Sequence, residues 1–371
     1  MASIKRRPDG RWRARYRDPS GKEHAQHFDR KIDGDRWLDA MRGEMATGRW
    51  VDPSAGRQKF SEYAEAWQAI QVHRPTTAAQ VASHLKNHVL PVFGDRPIGS
   101  IRTSEIQAWV KGRAEVLAPS TVEVVYNYLR AIFRAAVADK VIAESPCSEK
   151  VKLPRPERRQ VEPLAVEVVQ AITEAMPERY QALVTLAAGT GLRQGEAFGL
   201  TVDRVDFLRR TLKVDRQLVL LPGGPPTLAP PKTDASYRKV PMPVVVVDAL
   251  AAHLARWPAG ESGLVFTTED GDPIRRTAFS GAVWRPALKR AGLEGAKFHD
   301  LRHFYASLLI RHGESVKVVQ SRLGHASAAE TLDTYSHLWP DSEDRTRAAV
   351  DSVLGAASTG LGAESRGLTA D

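Results

Sequence analysis

Phe298-His299-Asp300-Leu301-Arg302-His303-Phe304 is the stretch that decides the fold of the C-terminal half of this sequence. His299 and Arg302 stand three residues apart, so both project from one face of a helix that begins near Asp300. Apolar residues at helical spacing are predicted to pack inward: Leu301, Phe304, Leu308 and Leu309. The stretch therefore predicts an amphipathic helix that carries a histidine and an arginine to a functional site.

A glycine turn precedes another arginine in residues 188–196, AGTGLRQGE. An apolar helix stops at this turn, and a new helix begins at about Arg193. An arginine at a helix N-terminus, beside glycines that let the backbone approach, favours anion binding. The alternative is an ordinary turn between two helices. Glu196, three residues on, is predicted to orient Arg193 through a buried charge pair.

Two more motifs follow along the chain. Residues 230–241, PPKTDASYRKVP, place Lys232 on a loop that leads into a strand, with a merely solvated lysine as the alternative. Further on, Leu323-Gly324-His325 ends a helix at Gly324. Ser327 and Glu330 then form a capping box that starts a short helix. This helix holds Tyr335 in its second or third turn.

Histidines cluster in this region, and the spacing of His299 and His303 resembles half of a zinc site on a helix. A hydrolytic zinc helix would carry a glutamate directly after its first histidine, but position 300 is aspartate, and no cysteine lies nearby. The surrounding arginines and lysine would repel a cation and attract a phosphate. We therefore expect no metal here.

In this order and spacing, Arg193, Lys232, His299-x-x-Arg302, Leu323-Gly-His325 and Tyr335 closely resemble the tyrosine recombinases, the phage-integrase family. The resemblance covers about residues 162–350. The helical region before it resembles the core-binding domain of this family, and the basic N-terminal region resembles the arm-binding domain of phage and integrative-element integrases.

The resemblance implies a role for each of these side chains. Tyr335 is the nucleophile, Arg193 and Arg302 stabilise the phosphoryl oxygens, and His325 donates to one of them. His299 assists as a base toward the Tyr335 proton. Lys232 is the general acid for the departing 5′ oxygen, and a desolvated lysine beside two arginines should have a lowered pKa. The family uses neither ATP nor a divalent metal, so no cofactor is expected.

The implied reaction forms a 3′-phosphotyrosyl link and a free 5′ hydroxyl, which attacks the equivalent link on a partner duplex. Four protomers act in two rounds through a Holliday junction. Expected partners are double-stranded DNA at core and arm attachment sites, a directionality factor (excisionase) and a host DNA-bending protein. The segment after Tyr335, with Trp339 and a helix near 342–354, resembles an element that docks on a neighbouring protomer. Packing within its own chain is the alternative.

Charge is concentrated at the N-terminus. The chain carries 53 Lys+Arg against 44 Asp+Glu, a net charge of +9, and residues 1–22 hold eight bases and two acids. Around a turn at Pro8-Asp9-Gly10, apolar residues alternate with arginines along a predicted strand pair, so one face is basic. An arginine-rich genome and protection of an exposed strand edge are the alternatives. The predicted DNA-binding residues are Lys5, Arg6, Arg7, Arg11, Arg13, Arg15 and Arg17.

The predicted fold is multidomain and mainly α, with small β elements. It combines an N-terminal three-stranded sheet plus helix, an all-α core-binding domain and an α+β catalytic domain. The predicted helix over 31–47 places Ile32, Trp37, Leu38 and Met41 on one side. The predicted boundaries are the arm domain 1–50, a linker 51–58, the helical domain 59–147, a basic linker 148–161, the catalytic domain 162–355 and a disordered tail 356–371.

Elements within the two larger domains follow from periodicity and capping residues. The helical domain is predicted to have helices at 60–72, 77–90, 103–116 with Thr103 as N-cap, and 119–139 opened by Pro119. The catalytic domain is predicted to have helices at 164–176, 178–188 and 193–200, strands near 204–208, 211–220 and 236–242 around a Gly/Pro-rich hairpin at 222–231, and helices from 245.

The single cysteine, Cys147, excludes intramolecular disulfides and favours a reducing compartment. Neither a membrane-spanning run nor a signal peptide is apparent, so we expect a protein of the bacterial cytoplasm, associated with the nucleoid.

The leading hypothesis is a site-specific DNA integrase of a temperate phage or integrative element. The alternatives are a Xer-type resolution recombinase, a class that lacks the extra N-terminal unit, and a catalytically silent DNA-binding regulator.

Overall fold

The structure is a computed structural model that describes residues 2–48, 50–156, 160–221, 223–339, 346–348 and 350–354. The chain divides into two compact units, Met1–Arg158 and Arg159–Asp371. No helix within the described residues is both long and apolar enough to cross a membrane. The predicted tail 356–371 lies outside the described residues. Of the predicted C-terminal helix, 346–348 and 350–354 are described and helical.

The first unit opens with a three-stranded antiparallel sheet and a helix. The strands are β1 (Ser3–Arg6), β2 (Trp12–Arg17) and β3 (Glu23–Phe28), followed by α1 (Lys31–Ala46). The two turns place Gly10 at φ +83° and Gly21 at φ +88°, which glycine adopts without strain. The predicted sheet and helix are confirmed.

The helix α1 packs on one face of this sheet. Ala14, Tyr16 and Leu38 are buried between them, and Trp37 and Met41 pack at the edge. The prediction that Ile32 shares this face is wrong, because Ile32 is 53% exposed. It lies two residues before Gly34, which approaches Ile4 and Phe28, and two residues turn a helix by about 200°.

Among the described residues, the rest of the first unit contains helices and no strand. They are α2 (Phe60–Ala69), α3 (Pro75–His84), α4 (Leu90–Phe93), α5 (Thr103–Ala114) and α6 (Pro119–Ala138), with a π-helical turn at Leu85–Val89 between α3 and α4. The prediction that Thr103 caps α5 is wrong by one residue. Arg102 is the N-cap, and its backbone N–H donates to the Glu105 carboxylate at 2.9 Å. The first residue of α6 is Pro119, as predicted.

The described residues of 148–161 form neither helix nor strand. Val151 packs in the helical core, and the Lys152 backbone N–H donates to Gln107 Oε1 at 2.7 Å. The start of this basic segment is therefore held on the helical domain.

The second unit is mainly helical, with two small sheets. Its helices are α7 (Val166–Ala175), α8 (Glu178–Thr190), α9 (Gln194–Phe198), α10 (Val244–Arg256), α11 (Arg276–Phe279), α12 (Arg285–Arg290), α13 (Asp300–Arg311), α14 (Val316–Leu323) and α15 (Ala328–Tyr335). Its strands are β4 (Val205–Asp206), β5 (Thr211–Val214), β6 (Gln217–Leu220), β7 (Pro226–Ala229) and β8 (Arg238–Pro241).

The single strand predicted at 211–220 is wrong. The chain breaks at Asp215-Arg216, so β5 joins a sheet with β4 and β8, while β6 pairs with β7 from the predicted Gly/Pro-rich hairpin. Asp215 accepts hydrogen bonds from Arg204 and Arg216 at this break. The backbone of β6 then runs close against Gly195 and Gly199, because neither glycine carries a side chain.

Candidate active site

Arg193 lies where α8 turns into α9. The turn uses Gly191 at φ +64°, and a Cβ there would clash with the Tyr305 ring. Arg193 is the N-cap of α9, as the glycine motif predicts. Its guanidinium donates to the Gly324 carbonyl at 3.0 Å and to Glu196 Oε1 at 3.1 Å. The predicted charge pair with the buried Glu196 is present.

Arg302 is the most deeply buried cation of the site, at 2% exposure. Its two terminal nitrogens donate to the carbonyls of Gly191 and Leu323, each at 2.7 Å. Burial and the nearby charge of Arg193 lower the pKa of Arg302 to about 9. Two turns, after α8 and after α14, thus fix this guanidinium.

A third guanidinium, Arg238 on β8, supports the other two. It is buried and forms two hydrogen bonds with Glu196, at 2.8 and 3.1 Å, and its Nε donates to the Arg322 carbonyl at 2.8 Å. Burial opposes ionisation of Glu196, but the hydrogen bonds and charge of Arg238, with Arg193, hold the pKa of that carboxyl below its usual value.

His325 follows the left-handed Gly324 (φ +65°) that ends α14, as predicted. The ring is buried, and its Nδ1 lies 2.8 Å from Thr331 Oγ1. Burial and the neighbouring arginines lower the pKa of His325 to about 3. At neutral pH it is therefore an uncharged imidazole, whose ring is parallel to Tyr335 with centroids 6.4 Å apart.

Tyr335 is the last residue of α15, within its second turn. Ser327 Oγ accepts from the Glu330 N–H as predicted for a capping box, while the Glu330 carboxylate accepts from Ala326 N–H. Tyr335 is 1% exposed, and burial raises its pKa to about 12. Its phenolic oxygen lies 2.8 Å from His303 Nδ1.

His299 is the residue before α13; part of its surface is exposed, while its ring packs against His303. Loss of hydration, His303 and the positive charge of Arg302 lower the pKa of His299 to about 4. Its ring meets the His303 ring edge to face, with centroids 4.8 Å apart. In the described residues it forms no hydrogen bond to Tyr335; that contact belongs to His303.

Lys232 lies apart from the other predicted catalytic side chains. It is exposed on the turn after β7 and forms no hydrogen bond or ion pair with any described residue. The expectation of a desolvated Lys232 is therefore wrong for this structure. Its loop is nevertheless tied to the site, because Ser236 Oγ lies 3.0 Å from Thr233 Oγ1 and 3.5 Å from Arg193.

Five of the six predicted catalytic side chains thus form one cluster: Arg193, His299, Arg302, His325 and Tyr335. Arg193 and Arg238 hold the carboxylate of Glu196, and Arg302 adds a third guanidinium nearby, so the cluster is cationic and suited to an anion with two free oxygens, such as a phosphodiester. Sequence reasoning missed His303 and Arg238. No local pattern marks them, because their partners lie 32 and 42 residues away along the chain.

The N-terminal sheet presents four of its predicted bases on the face opposite α1: Lys5, Arg13, Arg15 and Arg17. Lys5 pairs with Arg13 across the strands, and Arg13 and Arg15 both approach Glu23, at 3.7 and 3.5 Å. Arg7 reaches His27 at 3.2 Å. Arg6 pairs with Trp12, so strand alternation puts it on the helix side of the sheet, apart from the other bases. Arg11 lies just before β2 and pairs with Asp29, whereas Arg17, the last residue of β2, shares the face of Arg13 and Arg15 and donates to the Gly21 carbonyl.

Comparison with known families gives three matches along the chain. The Phage integrase family matches residues 162–341, the Phage integrase central domain matches 60–151, and the Phage integrase N-terminal domain matches 2–47.

Individual relatives span nearly the whole chain. A putative prophage phiRv2 integrase of Mycobacterium tuberculosis (strain CDC 1551 / Oshkosh) is 32% identical over 362 residues, 95% of each chain. Two solved structures share the fold. The Tn1549 transposon integrase in complex with circular intermediate DNA has a TM-score of 0.67 at 20% identity, covering 78% of this chain and 98% of its own. A lambda integrase tetramer bound to a Holliday junction has a TM-score of 0.57 at 21% identity, covering 88% and 96%. The chain thus belongs to the phage integrase family of tyrosine recombinases and is a site-specific integrase.

Proposed function

We propose that this integrase cleaves and rejoins DNA by transesterification, with Tyr335 as the nucleophile. The observation that carries the proposal is the convergence of the Tyr335 phenol, two forked guanidinium groups and a neutral His325 at one buried cluster. Such a cluster supplies a nucleophile and charge stabilisation without any bound cofactor.

Each side chain has a distinct part in this proposal. Arg193 and Arg302 hold the non-bridging oxygens of the scissile phosphate, and His325 donates an N–H to one of them. Tyr335 attacks the phosphorus and forms a 3′-phosphotyrosyl bond, while the 5′ oxygen departs with a proton from Lys232. His299 lies beside the phosphate at the start of α13. Lys232 is exposed in the structure, so its proposed role requires that its loop turns inward when DNA binds.

The same site then catalyses the reverse reaction, which joins DNA strands. The 5′ hydroxyl of a partner duplex attacks the phosphotyrosyl bond, and the phenol leaves. Two such exchanges by four protomers pass through a Holliday junction. The lambda integrase tetramer, whose fold this chain shares, is bound to such a junction and supports this assembly. The C-terminal segment, with Val350 and Val353 exposed, would dock on a neighbouring protomer.

We further propose three functional domains with the boundaries given above: the arm domain, the helical core-binding domain and the catalytic domain. Lys5, Arg13, Arg15 and Arg17 would contact arm-site DNA through one sheet face, and Arg11 would reach the backbone beside it. An excisionase and a host DNA-bending protein would set direction, in the nucleoid of a bacterial cell. The match of the N-terminal domain to residues 2–47 favours this over a Xer-type recombinase, because that class lacks the unit.

The arm proposal is tested by binding to separate arm-site and core-site duplexes. Substituting Arg13 and Arg15 with serine should weaken arm binding and leave core binding unchanged. Equal arm binding by this variant would contradict the proposal.

A nicked suicide substrate that carries the attachment core tests the catalytic proposal. The wild-type chain should form a covalent protein–DNA adduct, which a silent regulator would not. Tyr335→Phe should form none, whereas Tyr305→Phe, the same change at a buried tyrosine on α13, should keep the adduct. An adduct with Tyr335→Phe would overturn the assignment.

A further inference from the structure

His303 on α13 is the side chain nearest to the reacting phenol, and the reaction proposed above gives it no role. Its Nδ1 lies 2.8 Å from Tyr335 Oη, and the two rings are 5.6 Å apart and inclined at 65°. Within the described part of the chain this is the only hydrogen bond to that oxygen. The ring is half-buried, so water does not compete freely for the contact.

The phenol needs a proton acceptor at this position. Burial raises the pKa of Tyr335 to about 12, so the nucleophile is protonated at physiological pH. Burial lowers the pKa of His303, Asp300 opposes this shift and Arg302 adds to it, so the imidazole is neutral and keeps a lone pair. The charged and titratable groups that face it are His299 just before α13, Asp300 and Arg302 on α13, and Tyr335 on α15.

Resting on the proposed function, we propose that His303 is a catalytic residue that takes the proton of Tyr335 during cleavage and returns it during joining. As the bond from Oη to phosphorus forms, the phenolic proton moves to His303 Nδ1. The bond from phosphorus to the 5′ oxygen breaks, and that oxygen takes its proton from the general acid. In joining, the 5′ hydroxyl forms a bond to phosphorus and returns its proton to the general acid, the bond from phosphorus to Oη breaks, and His303 protonates the departing phenol. This step replaces the role expected for His299, which makes no hydrogen bond to Tyr335 in the described residues.

The same hydrogen bond has an opposite consequence if it only holds Tyr335 in an unreactive position. Removing His303 would then release the phenol and speed cleavage. The two accounts differ in the sign of the effect, so a rate measurement separates them.

The first experiment measures single-turnover cleavage of the suicide substrate against pH. His303→Ala should lower the rate at pH 7 about 100-fold or more, the usual share of a general base. Its rate should rise about tenfold per pH unit as hydroxide replaces the imidazole. His312→Ala, at the exposed end of the same helix, is the matched control and should retain the wild-type rate and profile. An unchanged or faster rate with His303→Ala overturns the proposal.

The second experiment separates proton transfer at Tyr335 from support of the phosphate site. A DNA strand ending in a 3′-(4-nitrophenyl) phosphate is joined to a 5′ hydroxyl strand by the Tyr335→Phe protein. The nitrophenol leaves as an anion and needs no proton. Adding His303→Ala to Tyr335→Phe should leave this joining rate unchanged, which also shows that the site is intact.

Loss of joining in the double variant would mean that His303 supports the phosphate site, and the proposal would fail. Absence of joining with Tyr335→Phe alone would instead contradict the phosphate-binding arginines of the proposed function. The two failures are therefore distinguishable.

Discussion

Arg302 shows why a planar guanidinium occupies the centre of this site. Two of its nitrogens donate to carbonyls from separate turns, at Gly191 and Leu323, and its remaining N–H groups form no hydrogen bond with the described residues. A lysine ammonium is a point charge and cannot span both carbonyls with one fixed geometry. The planar guanidinium of Arg302 therefore supplies both the positive charge and the hydrogen bonds that fix its own position.

Arg302→Lys should therefore lose function while keeping its charge. One buried carbonyl would lose its donor, which costs about 1–3 kcal/mol of unfolding free energy. Misplacing a donor to the phosphoryl oxygens should slow cleavage about 100- to 1000-fold. Suicide-substrate kinetics and urea denaturation measure the two effects, with Arg311→Lys on the exposed end of α13 as control. Wild-type cleavage by Arg302→Lys would contradict this account.

The proposed general-acid role of Lys232 can be tested by changing the leaving group of the cleavage reaction. Lys232→Ala should slow cleavage of ordinary DNA strongly, because the 5′ oxygen departs poorly without a proton. A substrate with sulfur in place of that bridging oxygen should restore the rate, since a thiolate leaves unprotonated. Lys239→Ala, on an exposed residue of β8, should affect neither substrate. Failure of the sulfur substrate to rescue Lys232→Ala would exclude an acid role.

At the scale of elements, two glycine turns position the arginines. Gly191 ends α8 and Gly324 ends α14, both in the left-handed region, and their carbonyls accept from Arg302 and Arg193 respectively. A Cβ on Gly324 would lie 2.9 Å from the Ala235 carbonyl. A side chain at either glycine would force its turn to shift, and the carbonyl of that glycine, which accepts from an arginine, would move with it.

Gly191→Ala should accordingly damage both stability and activity. The left-handed backbone costs about 1–3 kcal/mol for a non-glycine residue, before the clash with Tyr305 is counted. Gly281→Ala is the matched control, because that position is helical and a Cβ meets open space. Thermal denaturation and cleavage rates check both variants. A Gly191→Ala protein as stable as wild type would show that the turn is not constrained.

The sequence predicts these elements well where the cause is local. Pro119 opens α6, Gly324 ends α14 and Ser327 caps α15 because each effect acts within a few residues. The separation of β5 from β6 was missed because it depends on ion pairs of Asp215 and on packing against α9.

Of the site, Arg193, Glu196, Arg302 and His325 lie together as predicted. His303 was weighed only as half of a zinc site, because its hydrogen bond to Tyr335 joins two helices that the local pattern cannot align. The exposure of Lys232 was missed for a similar reason, since loop conformation is not encoded in motif spacing.

Across the whole molecule, neither the excess of basic residues nor the histidines with lowered pKa values are evenly distributed. Residues 1–22 alone contribute +6 of the net charge of +9, whereas the second unit holds equal numbers of basic and acidic residues, so its arginine cluster is a local concentration of positive charge. That unit also holds four histidines whose pKa lies below the usual value, mainly through burial: His253, His299, His303 and His325.

These histidines should make the chain sensitive to mild acid. Below about pH 6.5 the unfolded chain binds protons at these positions while the folded chain does not, so stability falls as pH drops. Between pH 6.5 and 4.5 the unfolding free energy should fall by about 1 kcal/mol per pH unit for His325, whose pKa is about 3, and His253 should add a loss in the same direction. Glu196 adds to the loss only below its ordinary pKa of 4.5.

Urea denaturation at a series of pH values measures this slope. His325→Gln should reduce it, because glutamine does not titrate. A stability that stays constant or rises between pH 6.5 and 4.5 would contradict the placement of these rings.

The central claim is that the phenol of Tyr335 forms the covalent bond to DNA. The covalent complex trapped on a suicide substrate should be denatured, digested with nuclease and mapped by mass spectrometry, and the released strand tested as a substrate for 5′ labelling by a kinase. We predict a nucleotide attached through its 3′ phosphate to Tyr335, and a free 5′ hydroxyl on the other strand end. Attachment at any other residue, or a 5′ phosphate on the released strand, would contradict the account.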